Sequence, residues 1–276
     1  MVAIKVILRV LLSALFLVSA VAKLLAIDDF ELYIFSYGFL SLPLTYIAAR
    51  LCIAAELFVG LFVAIGWWRR WVNLAALLLL IIFSVFLCYA ALIGRTDSCQ
   101  CMGRLADLPP ALSLLKNAIL ILLVLFYIRI SPTSSARHVI PTVVLAVAII
   151  VAPFVISVPD NWMFGSEEML YDKELLQETV EEKGLAEGHK LVAFVTPGCP
   201  YCQMSREKIT YIAQRHNLDT ASIVYLEPSD LGSQRFMDLT YGSRPLIILL
   251  DDGTPSATYH YRNISERDIS AFLPQR

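Results

Sequence analysis

The chain has 276 residues, of which 58% are hydrophobic, and its formal net charge is −2. Its mean hydropathy of +0.66 is too high for a water-soluble globular protein and is normal for a membrane protein. The small net charge hides an uneven distribution, because residues 1–158 carry 11 Lys and Arg against 6 Asp and Glu, whereas residues 159–276 carry 11 against 18. The sequence therefore predicts an apolar membrane module followed by an acidic soluble module.

Five apolar runs approach the roughly 20 residues that cross a bilayer. They cover residues 8–26, 45–67, 72–94, 109–128 and 139–158. A cytoplasmic N-terminus places Lys5, Arg9, Arg69, Arg70, Arg129 and Arg137 on the inner side, as the positive-inside rule requires. Five crossings then put residues 159–276 outside the cytoplasm. We expect a multi-pass protein of a bacterial inner membrane with its C-terminal module in the periplasm or outside.

A cysteine pair, Cys99 and Cys101, occupies the polar break between the third and fourth runs, on the same side as the soluble module. A disulfide between them would close a very small ring, and strained disulfides are more labile and more oxidising than relaxed ones. This pattern favours disulfide exchange. Two unpaired thiols and a copper-binding C-x-C motif are the alternatives.

Polar side chains inside the spans form a second group of candidates. Cys52 and Cys88 lie in the second and third spans and could face each other, either as a thiol relay or as small apolar fillers. Glu56 is four residues after Cys52 and shares its helix face. It could shuttle protons, or it could pair with Lys23 or Lys116 to hold the bundle. Lys23 could instead extend its ammonium group to the membrane surface.

The soluble module alternates helical and extended patterns. Apolar spacing and turn residues predict a helix over 171–184, a strand over 190–195, a helix after residue 202 and a strand over 222–227. A helix capped by Ser229 over 229–242 follows, then strands "PLIILL" and "SATYHY" joined at Asp252-Gly253, and a last helix that starts at Ser265. This order is typical of an α/β domain.

The second cysteine pair, Cys199 and Cys202, lies between the first strand of this module and the helix that follows it. At a helix N-terminus the macrodipole and unsatisfied amides stabilise a thiolate. Cys199 is therefore the predicted nucleophile, and Cys202, one turn later, is the predicted resolving thiol. A structural disulfide and half of a zinc site are the alternatives, and we expect no metal.

Residues 165–276 resemble the thioredoxin superfamily, with the turn Cys199-Pro200-Tyr201-Cys202 in a glutaredoxin-like form. The resemblance implies that Pro245 is the cis-proline beside the cysteines. It also implies that the Arg244 guanidinium lies close to the active-site turn, where a cation stabilises a thiolate. The chain departs from thioredoxins at Ala193, where those proteins carry a buried acid.

Residues 5–128 resemble the DoxX and MauE group of four-helix membrane proteins. The matching motifs are "SAVAKLLAIDDF", "AARLCIAAELFVGLFVAIG", the C-x-C-[MF]-G loop and "LKNAILILL". This resemblance implies periplasmic disulfide chemistry or quinone-linked sulfur oxidation. The cysteines avoid the cytoplasmic half of every span, which favours an electron acceptor dissolved in the bilayer, such as a quinone, over cytosolic thiols.

The sequence thus predicts a DoxX/MauE-like membrane domain over 1–130, a fifth transmembrane helix and linker over 131–164, and a thioredoxin-like domain over 165–276. The predicted activity is that of a membrane thiol-disulfide oxidoreductase. It would act on an extracytoplasmic, thiol-bearing protein and pass electrons through both cysteine pairs to quinone. The alternatives are the same relay run as a reductase, a non-catalytic maturation factor for a client protein, and a copper-handling module. We expect the lipid bilayer as surroundings and no nucleic-acid partner, since basic, aromatic-rich patches are missing from the sequence.

Overall fold

A computed structural model describes residues 2–95, 109–131, 139–159 and 169–276. The chain divides into two compact units. The first unit comprises Met1–Tyr33 and Tyr46–Val158, and the second comprises Ile34–Thr45 and Pro159–Arg276. The second unit therefore takes a short piece of the apolar N-terminal half in addition to the C-terminal module.

The apolar part of the chain is helical. Its helices are α1 (Val2–Leu25), α2 (Ile27–Phe35), α3 (Leu42–Ile65), α4 (Arg69–Leu92), α5 (Pro110–Ile130) and α6 (Val139–Ile156). Within the described residues, five of them, α1 and α3 to α6, are long and apolar enough to cross a membrane. These five helices correspond to the five predicted spans. Helix α2 was not predicted, because its acidic residues Asp28, Asp29 and Glu31 indicate a polar loop when sequence alone is considered.

The core of the first unit is built from apolar side chains of α1, α3, α4, α5 and α6, for example Leu12, Phe62, Leu80, Val124 and Ile149. Helices α1 and α3 approach closely at Gly60. A Cβ atom added to Gly60 would lie 2.8 Å from Leu17 Cγ and 3.1 Å from the Leu17 backbone nitrogen. Small residues allow such close helix contacts in membranes, where van der Waals packing replaces the hydrophobic driving force.

A buried ion pair joins three parts of the first unit. Arg50 on α3 is 1% exposed and contacts the Glu31 carboxylate on α2. Its Nε also donates to the Ser157 carbonyl, 2.6 Å away and just beyond α6. Arg50, a charged side chain within a span, is therefore both buried and paired.

The second unit contains a four-stranded sheet. Its elements after residue 169 are α7 (Lys173–Glu182), β1 (His189–Phe194), α8 (Pro200–Arg215), β2 (Ile223–Leu226), α9 (Pro228–Leu231), α10 (Ser233–Thr240), β3 (Leu246–Asp251), β4 (Thr254–Tyr259) and α11 (Glu266–Phe272). The strand order is β2-β1-β3-β4. Strands β1 and β2 are parallel, and the other two pairs are antiparallel. Apart from the region between β2 and β3, this is the predicted order of elements, and the architecture is thioredoxin-like.

Two local signals for turns and caps behave as predicted. Asp252 and Gly253 both have positive φ, at 45° and 77°, and form the tight turn between β3 and β4. Ser265 caps α11 by accepting a hydrogen bond from the Asp268 backbone N–H. The turn and the cap depend on residues that are neighbours in the chain, so both could be predicted from the sequence alone.

The single helix predicted over 229–242 is wrong, because the structure has two short helices there, α9 and α10. Gly232 separates them with a φ of +83°, which side chains other than glycine rarely tolerate. The cap also differs from the prediction. Glu227, rather than Ser229, precedes the first helix and forms a reciprocal capping box with Asp230.

Helices cover the two faces of the sheet in pairs. α7 packs with α10, and α8 packs with α11. Val192 and Phe194 of β1 join the apolar cluster that contains α7 and α10 side chains. Because successive residues of a strand point to opposite faces, Ala193 faces the side of the active-site helix α8.

The segment Ile34–Thr45 belongs to the second unit through specific contacts. The Arg215 guanidinium lies 4.5 Å from the Phe35 ring centroid. The Leu42 backbone N–H donates to Glu266 Oε2 at 2.8 Å, and Arg215 Nη1 lies 2.8 Å from Glu266 Oε1. The Glu266 carboxylate, at the start of α11, thus contacts both this segment and Arg215, the last residue of α8.

Candidate functional site

Cys199 is positioned by the start of α8. It is the N-cap residue, and its Sγ accepts a hydrogen bond from the Cys202 backbone N–H at 3.3 Å. Pro200 fills the first helical position, where its missing N–H costs nothing. The positive end of the helix dipole and a backbone donor therefore both face this sulfur, and both favour its thiolate form.

Cys202 lies beneath the turn and is only 3% exposed. The Thr196 backbone N–H points to its Sγ at 3.5 Å. Burial raises the pKa of Cys202 from its ordinary value of 9.0 to about 12, and the neighbouring Cys199 thiol contributes to the same rise. The predicted nucleophile, Cys199, is thus partly exposed, and the predicted resolving thiol, Cys202, is buried and favoured in its protonated form. Both are free thiols in the structure.

The loop before β3 completes the site. The peptide bond between Arg244 and Pro245 is cis, as the resemblance to thioredoxins implied. The positive charge of Arg244 acts to lower the pKa of Cys202, against the larger effect of burial. Tuning of the Cys199 thiolate by Arg244 stays a prediction.

A surface cavity of about 330 Å³ opens beside the cysteines. Thr196, Pro197, Gly198, Cys199, Cys202, Gln203, Arg206 and Glu227 line it together with two neighbouring residues. Arg206 and Glu227 form an ion pair across it, with an Nη2–Oε1 distance of 3.0 Å. A groove of this size admits an extended peptide segment or a small thiol compound.

Sequence reasoning missed Arg206 and Glu227, although signals for both were present. Arg206 follows Cys202 by four residues, the spacing that places side chains on one helix face. Glu227 directly follows β2, and the carboxyl ends of parallel strands meet at the same edge of a sheet. The two spacings together would have placed both residues beside the CPYC turn.

The relay candidates that the sequence places in the spans, Cys52, Cys88 and Glu56, all lie among the described residues. Cys52 is partly buried on α3, Cys88 is exposed on α4, and both are free thiols. Glu56 is buried on α3 and pairs with Lys23 on α1 at 2.6 Å. The interpretation that Lys23 extends to the membrane surface is wrong, because Lys23 is 2% exposed and its ammonium group is neutralised internally.

Cys99 and Cys101 lie outside the described residues. Their exchange with Cys199 and Cys202, and the relay roles of Cys52, Cys88 and Glu56, therefore stay predictions. In the part of the chain that the structure describes, no group of three or more His, Cys, Asp or Glu side chains could hold a metal ion.

A C-x-x-C turn at a helix N-terminus and a cis-proline before β3 are features of a thioredoxin-like domain, and here this domain follows five candidate membrane-spanning helices. Residues 1–130 match the family model of methylamine utilisation protein MauE. The chain is 25% identical to Protein TlpB of Flavobacterium psychrophilum, in an alignment that covers 79% of this chain and 75% of that protein. No solved structure matches the chain. The protein thus combines a MauE-like membrane domain with a thioredoxin-like domain.

Proposed function

We propose that the protein is a membrane thiol-disulfide oxidoreductase that forms disulfides in an extracytoplasmic protein. The observation that carries this proposal is the unequal setting of its two active-site sulfurs. Cys199 Sγ accepts a backbone hydrogen bond at the N-terminus of α8, whereas Cys202 is buried with a raised pKa. Such an asymmetric pair is what directional thiol-disulfide exchange needs.

The reaction begins from the Cys199–Cys202 disulfide. A substrate thiolate attacks Cys199 Sγ, the S–S bond breaks, and Cys202 leaves with the electron pair and takes up a proton. The second substrate thiolate then attacks the substrate sulfur of the mixed disulfide and releases Cys199 as a thiolate. The substrate has lost two electrons, and of its two thiol protons one is now on Cys202 and the other is on Cys199 or in the solvent, so the domain is left in its reduced form.

Regeneration passes the two electrons onward. Cys199 attacks the Cys99–Cys101 disulfide, and Cys202 resolves the product, which leaves Cys99 and Cys101 reduced. A quinone, if bound, would supply the final acceptor, because it can take up two electrons and two protons. Among the described residues, Glu56 and Lys23 are buried in the spans and could exchange protons with such a carrier, and Cys52 and Cys88 remain candidates for the thiol path.

Trapping tests the exchange step. Cys202→Ser removes the resolving thiol, so we expect a mixed disulfide between Cys199 and a substrate protein, or between Cys199 and Cys99 or Cys101, on non-reducing electrophoresis. Cys199→Ser is the matched control and should trap nothing. If Cys202→Ser yields no adduct that reductant removes, the exchange mechanism is wrong.

The direction of electron flow has a separate test. Acid quenching and alkylation of cells report the resting state of Cys199 and Cys202. A pair that is mostly disulfide supports oxidation of the substrate. A pair that is mostly dithiol would reverse the proposed direction and favour a reductase that uses the same relay.

A further inference from the structure

Cys202 is a buried residue whose sulfur has to carry charge during exchange. It is 3% exposed, and its Sγ accepts a hydrogen bond from the Thr196 backbone N–H at 3.5 Å. That bond acts to lower the pKa of Cys202, although burial raises it by more. In the proposed reaction Cys202 leaves the disulfide with the electron pair, so negative charge develops on this sulfur away from water. Any further donor that reaches the sulfur favours this step.

Thr196 carries such a donor. Its hydroxyl oxygen is buried and has no hydrogen-bond partner among the residues that the structure describes. Buried polar atoms are rarely left unpaired, and a threonine hydroxyl can turn its proton towards an acceptor. The reduced form of the domain therefore holds a buried hydroxyl whose proton is not committed to another described group.

The backbone of Thr196 fixes where this hydroxyl lies. Its N–H donates to Cys202 Sγ, and its carbonyl accepts from the Cys199 N–H at 3.3 Å. The hydroxyl oxygen is joined to the Thr196 nitrogen through Cα and Cβ alone, so there are staggered χ1 rotamers in which both groups point the same way. Thr196, Cys199 and Cys202 also line the same cavity. The hydroxyl is thus the movable donor of a residue whose main chain is bonded to both cysteines.

Two neighbouring side chains are weaker candidates for this role. Ser205 also has a buried hydroxyl without a partner in the described part of the chain, and it is 0% exposed. It lies further along α8 than Cys202, however, and it is not among the residues that line the cavity. Ala193, which faces the same side of the sheet as α8, has only a methyl group to offer. Thr196 therefore combines an uncommitted hydroxyl with a contact to the reacting sulfur.

We propose that Thr196 is a catalytic residue whose hydroxyl donates a hydrogen bond to Cys202 Sγ while this sulfur leaves Cys199. This inference rests on the proposed function. A substrate sulfur forms its bond to Cys199 Sγ, the Cys199–Cys202 bond breaks, and the electron pair stays on Cys202. The Thr196 hydroxyl keeps its own proton and stabilises the charge together with the backbone N–H, until Cys202 takes up a proton. Because the contact strengthens as charge develops, it lowers the barrier of the reaction.

Thr196→Val isolates the contribution of the hydroxyl. Valine keeps the branched shape and the backbone N–H and removes the side-chain donor. We expect attack on the Cys199–Cys202 disulfide to slow by about 10- to 100-fold, the range for a lost hydrogen bond to a charged group. Thr196→Ser restores a hydroxyl and should recover most of the rate. Ser205→Ala removes a second buried hydroxyl and is the matched control, with an expected rate close to that of the wild type.

The experiment uses the full chain in detergent, oxidised with diamide and then mixed with dithiothreitol. Samples are quenched with acid and alkylated, and mass spectrometry of the peptide that contains Cys199 and Cys202 gives the rate at which their disulfide disappears. Slow reduction of Thr196→Val with near-normal reduction of Thr196→Ser supports the proposal. A wild-type rate in folded Thr196→Val, or an equal loss in Ser205→Ala, overturns it. If Thr196→Val does not fold, Thr196→Ala, with a smaller side chain, takes its place.

A second reaction separates the role of the leaving sulfur from general access to the site. Cys202→Ser protein is loaded on Cys199 with mercaptoethanol as a mixed disulfide, and dithiothreitol then releases the adduct. Cys202 takes no part in this release, so the additional change Thr196→Val should leave its rate unaltered. A comparable slowing of the release would overturn the proposed role.

Failure of this inference is distinguishable from failure of the proposed function. Trapping through Cys202→Ser needs only Cys199 as the attacking thiol. Trapped adducts together with an unaffected rate in Thr196→Val reject the role of Thr196 alone, whereas the absence of adducts rejects the exchange mechanism itself.

Discussion

Two ion pairs, one in each unit, differ sharply in their exposure to solvent. In the first unit the side chains of Lys23 and Glu56 are each 3% exposed. In the second unit the Arg206 and Glu227 side chains beside the active site are 45% and 33% exposed. Exposed pairs contribute little because water and salt screen them, whereas removing one partner of a buried pair leaves an uncompensated charge. The Lys23–Glu56 pair therefore stabilises the membrane bundle, while the Arg206–Glu227 pair lines a surface groove.

The largest effect is expected at the active-site sulfur. Cys199→Ser should reduce disulfide exchange with a dithiol peptide to background, because a serine hydroxyl cannot form the mixed disulfide. Gln234→Ser, at an exposed position of the same unit, is the control. Comparable losses in both variants would show that the effect is not specific to the Cys199 thiol.

The next effect concerns the second buried ion pair of the first unit, Arg50–Glu31. Glu31→Gln leaves the Arg50 charge unneutralised and should lower the free energy of unfolding by about 3–5 kcal/mol. Glu227→Gln, the corresponding change at an exposed pair, should cost no more than about 1 kcal/mol. Unfolding in detergent, followed by circular dichroism, measures both. Similar costs for the two variants would contradict the contrast between the units.

A smaller loss is expected where α1 meets α3. Gly60→Ala places a methyl group 2.8 Å from Leu17 Cγ and should cost about 1–3 kcal/mol through overpacking. Leu51→Ala, on an exposed face of the same helix, provides the control for detergent effects. An unchanged midpoint in Gly60→Ala would mean that the helices separate without penalty.

The smallest effect is a pH dependence in the second unit. The folded-state pKa of Cys202 is raised from 9.0 to about 12, so folding favours the protonated thiol. This contribution to the stability of the reduced protein is fully present below about pH 9 and is lost as the pH rises towards 12. In reduced Cys199→Ser protein, alkylation of Cys202 should stay slow at pH 9 and accelerate above it.

Arg244 provides a way to sharpen that measurement. Its positive charge acts against the rise in the Cys202 pKa, so Arg244→Ala should move the onset of alkylation to higher pH. Lys190→Ala, a charge removal elsewhere in the same unit, should leave the onset unchanged. Identical profiles in the Arg244 variant and wild type would show that the guanidinium does not act on the site.

Local signals explain what the sequence could predict. The alternation of elements, the Asp252-Gly253 turn and the roles suggested for Cys199 and Cys202 all depend on residues close together in the chain. Apolar runs likewise marked the five spans. Gly232 shows the limit of such signals, since a helical pattern on both sides concealed the break.

Partner choice within the bundle could not be predicted, because depth along a helix does not reveal which neighbour a side chain faces. The sequence offered Lys23 and Lys116 equally as partners of Glu56, and only packing of α1 against α3 selects Lys23. Helix α2 was missed for a related reason. In the sequence alone, Glu31 indicates a solvated loop. In the structure it is buried within a helix because Arg50, from another helix, neutralises its charge.

The attachment of Ile34–Thr45 to the second unit has a consequence for how the protein is made. The Leu42 N–H and its acceptor Glu266 are separated by 224 residues, and Arg215 and the Phe35 carbonyl by 180. During synthesis this segment emerges long before α8 and α11 exist, and contacts between distant residues form slowly. The second unit is therefore completed only after α11 has left the ribosome. A fragment that begins at residue 165 would lack Ile34–Thr45, which packs as part of this unit.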